Sequence, residues 1–278
     1  MSSLRNHFEQ ILESAGVRVN GSNPWDITVH NEELFSRISR DGTVGLGEAY
    51  MDGWWDCESI DEMITRSFRA GLEDKIRSNF KFFIYLIGLR LMNRQSESRA
   101  FQVAEQHYDI GNDIFERMLD KHMNYSCGFW ESANCLEDAQ IAKMEMICEK
   151  LQLERGMKVL EIGCGWGALA RWMSQRYGVS VTGITVSKEQ AKLARSRCAG
   201  LPVSIELTDY RALNGEYDRI VSVGMLEHVG QKNYRTYFAK ARSLLKDQGL
   251  FLLHTIGAGR EGFATDRWIE KYIFPNGV

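Results

Sequence analysis

Glu227 and His228 stand together in V-G-M-L-E-H-V-G, and a second imidazole, His254, heads the short stretch H-T-I-G. A carboxylate and an imidazole at neighbouring strand tips can position an anion or move a proton near neutral pH, because histidine titrates in that range. Cys127, in Y-S-C-G-F-W, adds a thiol, although it serves equally well as a small buried hydrophobe. Glu227-His228 also reads as an ordinary solvated loop pair, and a lone histidine closing an apolar run is more often structural than reactive. It is the joint occurrence of these residues that favours chemistry.

A second set surrounds Lys158 to Ala170, K-V-L-E-I-G-C-G-W-G-A-L-A. An apolar run of strand length enters a turn carrying Gly163, Gly165 and Gly167, and residues 168–177 have helical spacing. Glycine there lets the backbone approach a ligand, and the free N–H groups at a helix start favour a polar or negative group. Gly163-x-Gly165-x-x-Ala168 also satisfies a dinucleotide fingerprint, which requires an acid about 20 residues on. The next strand ends in Thr185-Val186-Ser187, with no acid at its tip. The acid is instead Glu161, ahead of the first glycine, an arrangement that resembles S-adenosylmethionine-dependent methyltransferases. On that resemblance Gly163, Gly165 and Gly167 meet the methionyl part of the cofactor and Glu161 accepts from its ammonium. Thr185, Ser187 and Gln190 then bond the ribose hydroxyls, while Asp209, Tyr210 and Arg211 lie where an acid reads adenine and an aromatic stacks on it.

The elements that must position these residues alternate. Strands are expected near 158–163, 180–185, 203–208, 217–224 and 249–256, with helical segments between. Such alternation predicts an α/β fold, a parallel sheet covered by helices on both faces, with ligands at the carboxyl ends of the strands. Ahead of it the pattern predicts helices over 7–16 and 32–40, a short strand after Pro24, and helices reaching Met118 and over 136–151. Gly45 to Trp55 is glycine-punctuated and aromatic, which suits either a lipid-contacting surface or a small core with tight turns. Between Asp74 and Gln95, aromatic and aliphatic residues crowd beside Lys75, Arg77, Lys81, Arg90 and Arg94. That composition fits an anionic membrane interface, where each cation is worth ~1 kcal/mol, or a helix buried between domains. The polar segment 93–99 is the candidate linker, giving domains over 1–95 and 96–278.

Composition bounds the rest. The chain has 278 residues, 44% hydrophobic and 26% charged, an ordinary globular balance. A net charge of -3 gives no global pull toward nucleic acid. Six cysteines without a C-x-x-C pair predict a reduced, cytoplasmic setting and no metal site. The polar start has no signal-peptide core and no apolar run approaches the ~20 residues of a span, so membrane association is expected to be peripheral.

Taken together, Tyr125-Ser126-Cys127, E-I-G-C-G-W-G, G-I-T-V-S-K-E-Q, D-Y-R, V-G-M-L-E-H-V-G, H-T-I-G and K-Y-I-F-P-N-G resemble the bacterial cyclopropane-fatty-acyl-phospholipid synthases. The similarity runs from about Gly16 to Gly277 and includes G-L-G-E-A-Y-M-D-G-W-W and Q-H-Y-D-I-G-N-D. It implies a small, mostly helical α+β amino-terminal domain joined to a Rossmann-like methyltransferase domain, homodimers on the inner face of the membrane, and unsaturated phospholipid as substrate. The family's reaction is methylene transfer to a cis double bond, with bound bicarbonate removing a proton before the ring closes. By resemblance, Cys127, Glu227, His254 and the backbone of Ile256 hold the bicarbonate, and Tyr125 and Ser126 lie near the cofactor. Tyr125, Phe129 and Trp130 are candidates for stabilising a carbocation through their ring faces.

The chain also departs from the family. It stops at Val278, where relatives continue, so only five of the usual seven strands are expected, and a tyrosine that completes the family's bicarbonate site is missing. Ala212 replaces an acid common among relatives after Asp209-Tyr210-Arg211. The expectation is a cofactor pocket with little or no cyclopropanation activity for this length of chain by itself. A methyltransferase acting without ring closure, or a silent lipid-binding or dimer-partner subunit, are the alternatives.

Overall fold

The structure, a computed structural model, describes residues 2–72, 112–257 and 266–272. The basic and aromatic stretch at 74–95, the linker at 93–99 and the end at 273–278 lie outside the described residues. The described chain divides into two compact units, one holding 2–72 with 266–271 and the other 112–257.

The first unit joins helices α1 (Ser2–Glu13), α2 (Leu34–Asp41), α3 (Thr43–Met51) and α4 (Ile60–Arg69) to a two-stranded antiparallel ribbon, β1 (Thr28–Val29) with β2 (Trp55–Asp56). Leu12, Val17, Ile27, Leu34, Ala49, Trp55 and Met63 form its core. The first helix ends earlier than its apolar spacing predicts, because the chain turns at Gly16, with φ +70°. Part of the aromatic, glycine-punctuated stretch, read as either a lipid-contacting surface or a small core with tight turns, is helix α3, and Ala49 and Trp55 from it enter this core.

The second unit starts with α5 (Asp113–Met118) and α6 (Leu136–Lys150), then alternates. Strands β3 (Lys158–Ile162), β4 (Ser180–Thr185), β5 (Val203–Leu207), β6 (Tyr217–Val223) and β7 (Leu245–His254) form one parallel sheet in the order β5-β4-β3-β6-β7. Helices α7 (Ala168–Tyr177), α8 (Lys188–Arg197), α9 (Leu226–Val229) and α10 (Tyr234–Leu244) connect them. A short helix, α11 (Arg267–Tyr272), comes later in the chain and belongs, through Lys271, to the first unit. Strand β7 starts earlier than its apolar run suggests, because a register irregularity opposite Tyr217 and Arg219 lets the polar residues after Leu245 join the ladder.

Period-two alternation divides the sheet's side chains between two cores. Val159, Val181 and Val221 face Met144, Ile147 and Met173, whereas Leu160, Ile162, Ile184 and Ile220 face Tyr210, Tyr237 and Ala241. Each such side chain contributes about 1.5–3 kcal/mol by leaving water. Glu161 shares the face of Val159, so the packing that buries α6 and α7 also buries a carboxylate. Strand order reverses between β3 and β6, and crevices outside the carboxyl ends at such a point receive ligands.

Candidate active site

A cleft of about 170 Å³ opens at this switch point. It is lined by Tyr125, Ser126, Glu161, Gly163, Gly165, Thr185, Ser187, Gln190, Asp209, Tyr210 and Arg211, eleven of the twelve residues the sequence singles out for a cofactor. Gly167 is not among the lining residues. It caps α7 with φ +80°, and a Cβ there would meet Cys198 Sγ at 3.1 Å and Ala194 Cβ at 3.2 Å, so its role is packing against α8. Gly163 borders the cleft with φ +85°, a conformation disfavoured for other residues.

Glu161 is 4% exposed. Desolvation pushes its carboxyl up to about 8, against the opposing effects of the Ala170 N–H and the Lys143 charge. Its Oε2 is buried and lacks a partner among the described residues. A buried carboxylate oxygen without a donor is a costly arrangement that a ligand's ammonium would relieve. This acceptor therefore fits the ammonium at the amino-acid end of S-adenosylmethionine.

At the end of β4, Thr185 Oγ1 donates to Gln190 Oε1 at 2.7 Å, and Ser187 Oγ accepts from Gln190 N at 3.1 Å as the N-cap of α8. Part of this polar set thus serves the helix start itself. Beyond β5, Asp209 accepts from Arg211 N and from its guanidinium, each at 2.9 Å. The Arg211 guanidinium lies 4.6 Å from the Tyr210 ring, which packs edge-on against Tyr237 at 5.1 Å.

The wall nearest Tyr125 holds residues the sequence reading did not single out. Asp120, 2% exposed, accepts from His122 N at 2.9 Å and Asn124 N at 2.7 Å, setting the loop that leads to Tyr125. Trp166 is buried and donates to Asn112 Oδ1 at 2.7 Å. From α6, Gln140 Nε2 donates to Ser126 O at 2.8 Å and Lys143 Nζ to Ser126 Oγ at 2.7 Å. The sequence signal for the latter pair is two polar residues on the stripe shared with Ala139, Met144 and Ile147.

The residues assigned to bicarbonate lie outside the cleft lining, in two contacts. Cys127 Sγ is 3.5 Å from His254 Nε2. Ile256 N donates to Glu227 Oε1 at 2.7 Å. A bond from Gly224 N to His254 O at 3.0 Å ties the tips of β6 and β7 together, which carries α9 and Glu227 to the end of β7. Glu227 Oε2 and His254 Nδ1 are buried and without partners among the described residues, while Cys127 is exposed and Ile256 is 81% exposed. Between them the two contacts hold an acceptor oxygen, a thiol and an imidazole, group types that suit a small anion bearing one hydroxyl. His228 instead lines the cofactor cleft, where burial lowers its basicity.

Residues 95–278 match the family model for mycolic acid cyclopropane synthetase. Over 96% of its length the chain is 55% identical to the cyclopropane-fatty-acyl-phospholipid synthase of Escherichia coli (strain K12), of which it spans 70%. Among solved structures, the cyclopropane synthase MmaA2 from Mycobacterium tuberculosis is 36% identical with a TM-score of 0.59, over 64% of this chain and 68% of that one. The mycolic acid cyclopropane synthase CmaA1, complexed with SAH and CTAB, is 37% identical with a TM-score of 0.54, over 55% of each chain.

Proposed function

This chain belongs to the mycolic acid cyclopropane synthetase family, and from that membership we infer its reaction and the residues that carry it. It is an S-adenosylmethionine-dependent methyltransferase that adds a methylene group across the cis double bond of unsaturated phospholipid acyl chains, forming cyclopropane rings. The observation that carries this conclusion is the 55% identity to the Escherichia coli synthase across 96% of the chain.

S-adenosylmethionine supplies a methyl group made electrophilic by its sulfonium. On our reading Glu161 receives the cofactor's ammonium, supported by its unpartnered buried oxygen. Gly163 and Gly165 let the backbone approach the methionyl chain, and Gly167 sets the helix start behind them. Thr185, Ser187 and Gln190 bind the ribose, Asp209 with Tyr210 and Arg211 binds the adenine, and Tyr125 with Ser126 closes the near wall. All but Gly167 line one cleft, which supports the assignment.

For the proton that must leave before ring closure, we assign bicarbonate as the base. Glu227 accepts its hydroxyl, Cys127 and His254 hold its oxygens, and the Ile256 N–H orients Glu227 through the bond at 2.7 Å. This frees Glu227 from taking the proton itself. Tyr125, Phe129 and Trp130 present ring faces that steady a developing cation on the acyl chain.

We further propose a homodimer bound peripherally to anionic bilayer at the cytoplasmic face. Among the described residues no helix is long and apolar enough to cross a membrane. Replacing Lys75, Arg77 and Lys81 with Glu is expected to weaken sedimentation with anionic vesicles, and unchanged sedimentation would remove the support for that surface.

The reaction itself is tested by incubating the protein with S-adenosylmethionine, bicarbonate and vesicles of unsaturated phospholipid, followed by NMR of the acyl chains. Cyclopropane methylene signals are expected. A methyl branch without a ring would instead establish simple methylation.

A further inference from the structure

Lys143 is 3% exposed, and lysine is seldom buried without a partner for its charge. It sits on α6, on the stripe shared with Met144 and Ile147 that packs toward β3. Its ammonium has three donors, and among the described residues one is used, on Ser126 Oγ at 2.7 Å. Burial disfavours its charge, and the acids Asp120 and Glu161 oppose that effect. Lys143 and Glu161 both line the cofactor cleft, and each bears electrostatically on the other.

Resting on the reading that Glu161 binds the cofactor's ammonium, we propose that Lys143 is a positioning residue for cofactor binding. Its charge opposes the burial that raises the Glu161 carboxyl, easing loss of that proton when the cofactor's ammonium arrives, and its hydrogen bond fixes the Tyr125-Ser126-Cys127 segment against the cleft. Two observations support this account. A carboxylate as buried as Glu161 loses its charge unless a cation accompanies it. Ser126 is clamped twice from one helix, at its carbonyl by Gln140 and at its hydroxyl by Lys143, and it lies between Tyr125 at the cleft and Cys127 beside His254. Lys143 thus joins the two parts of the site without itself touching the reacting atoms. Burial also pushes its own ammonium down to about 8, against the raising effects of Asp120 and Glu161.

The test compares two ligands on the full chain by calorimetry. S-adenosylhomocysteine carries the amino-acid ammonium, whereas 5′-methylthioadenosine has the same nucleoside without it. Lys143→Met is expected to weaken S-adenosylhomocysteine about tenfold, the scale of a buried charge left without its partner, and to leave 5′-methylthioadenosine within about twofold. In a Glu161→Gln background the same substitution is expected to cost less than about threefold, because the interaction it serves is already gone. Equal losses for both ligands, or equal losses in both backgrounds, would overturn the proposal and make Lys143 a packing residue. If Lys143→Met does not fold, Lys143→Gln removes the charge while keeping a donor for Ser126, with the same expected outcome. Wild-type protein that binds neither ligand would count against the cofactor reading rather than against the role of Lys143.

Discussion

The cofactor cleft and the Cys127, Glu227, His254 and Ile256 cluster lie at the same end of one parallel sheet, yet they are built differently. The cleft draws most of its residues from short segments, each a strand tip and the turn after it, with Tyr125, Ser126 and Lys143 added from the chain before β3, and its polar groups are mostly buried. Thr185, Ser187, Gln190 and Asp209 are each under 10% exposed and bonded within their own segment. The second cluster is assembled across long separations, 127 residues between Cys127 and His254 and 29 between Glu227 and Ile256, and parts of it are exposed. A small, diffusible cofactor can be recognised by local turns. On the proposed reading, the second cluster meets both an anion and a lipid chain, which asks for openness to solvent and for residues drawn from several elements.

The sharpest way to break this comparison is Glu227→Gln. If the two regions are separable, turnover is expected to fall at least about 100-fold. S-adenosylhomocysteine affinity, measured by calorimetry, should stay within about twofold. A parallel collapse of binding would show that the two regions act as one.

Glu161→Gln is the converse, and a smaller effect is expected: affinity for S-adenosylhomocysteine about tenfold weaker at pH 7. It also has a signature in stability. The folded state raises the Glu161 carboxyl from the ordinary 4.5 to about 8, so it holds a proton that the unfolded chain has released. Its contribution is therefore fully present below about pH 4.5 and lost as pH rises toward 8. Lys143, pushed down to about 8, acts oppositely, with stability rising as pH increases from there to its ordinary 10.5. Ligand-free protein should show a dip in melting temperature near pH 8, and Glu161→Gln should flatten its acidic side. An unchanged profile in the variant would place the titrating group elsewhere.

The smallest effect concerns Ser187. Because its hydroxyl caps α8, Ser187→Ala is expected to cost about 1 kcal/mol in urea unfolding. A change in S-adenosylhomocysteine affinity larger than the loss of stability would shift the emphasis from helix cap to ligand contact.

Much of this site is legible in the chain because its signals are local. Lys158 to Ala170 specifies a strand, a turn and a helix start through alternation and glycine placement, and Glu161 is fixed to that turn by covalent spacing. Other features are invisible at that range. Gly45 and Gly47 read as turn residues but lie in α3, where added Cβ atoms would meet Arg37 O at 2.5 Å and the Trp268 ring at 2.4 Å. They are small because a neighbour is close, and nothing adjacent in sequence names that neighbour.

Lys143 illustrates the same limit within the site. Its neighbours in sequence describe a helix with mixed polar and apolar residues, and whether a lysine on that helix meets water depends on what packs over it. The sequence by itself determined the five strands, the glycine turn and the placement of Glu161 beside it, because these follow from periodicity and bond connectivity over a few residues. Only the tertiary structure decided that Lys143 is buried against the cleft, that Cys127 meets His254 and that Ile256 N–H reaches Glu227. Those contacts depend on strand order and on the tying of β6 to β7, free-energy balances set by packing across the whole sheet rather than by any one segment.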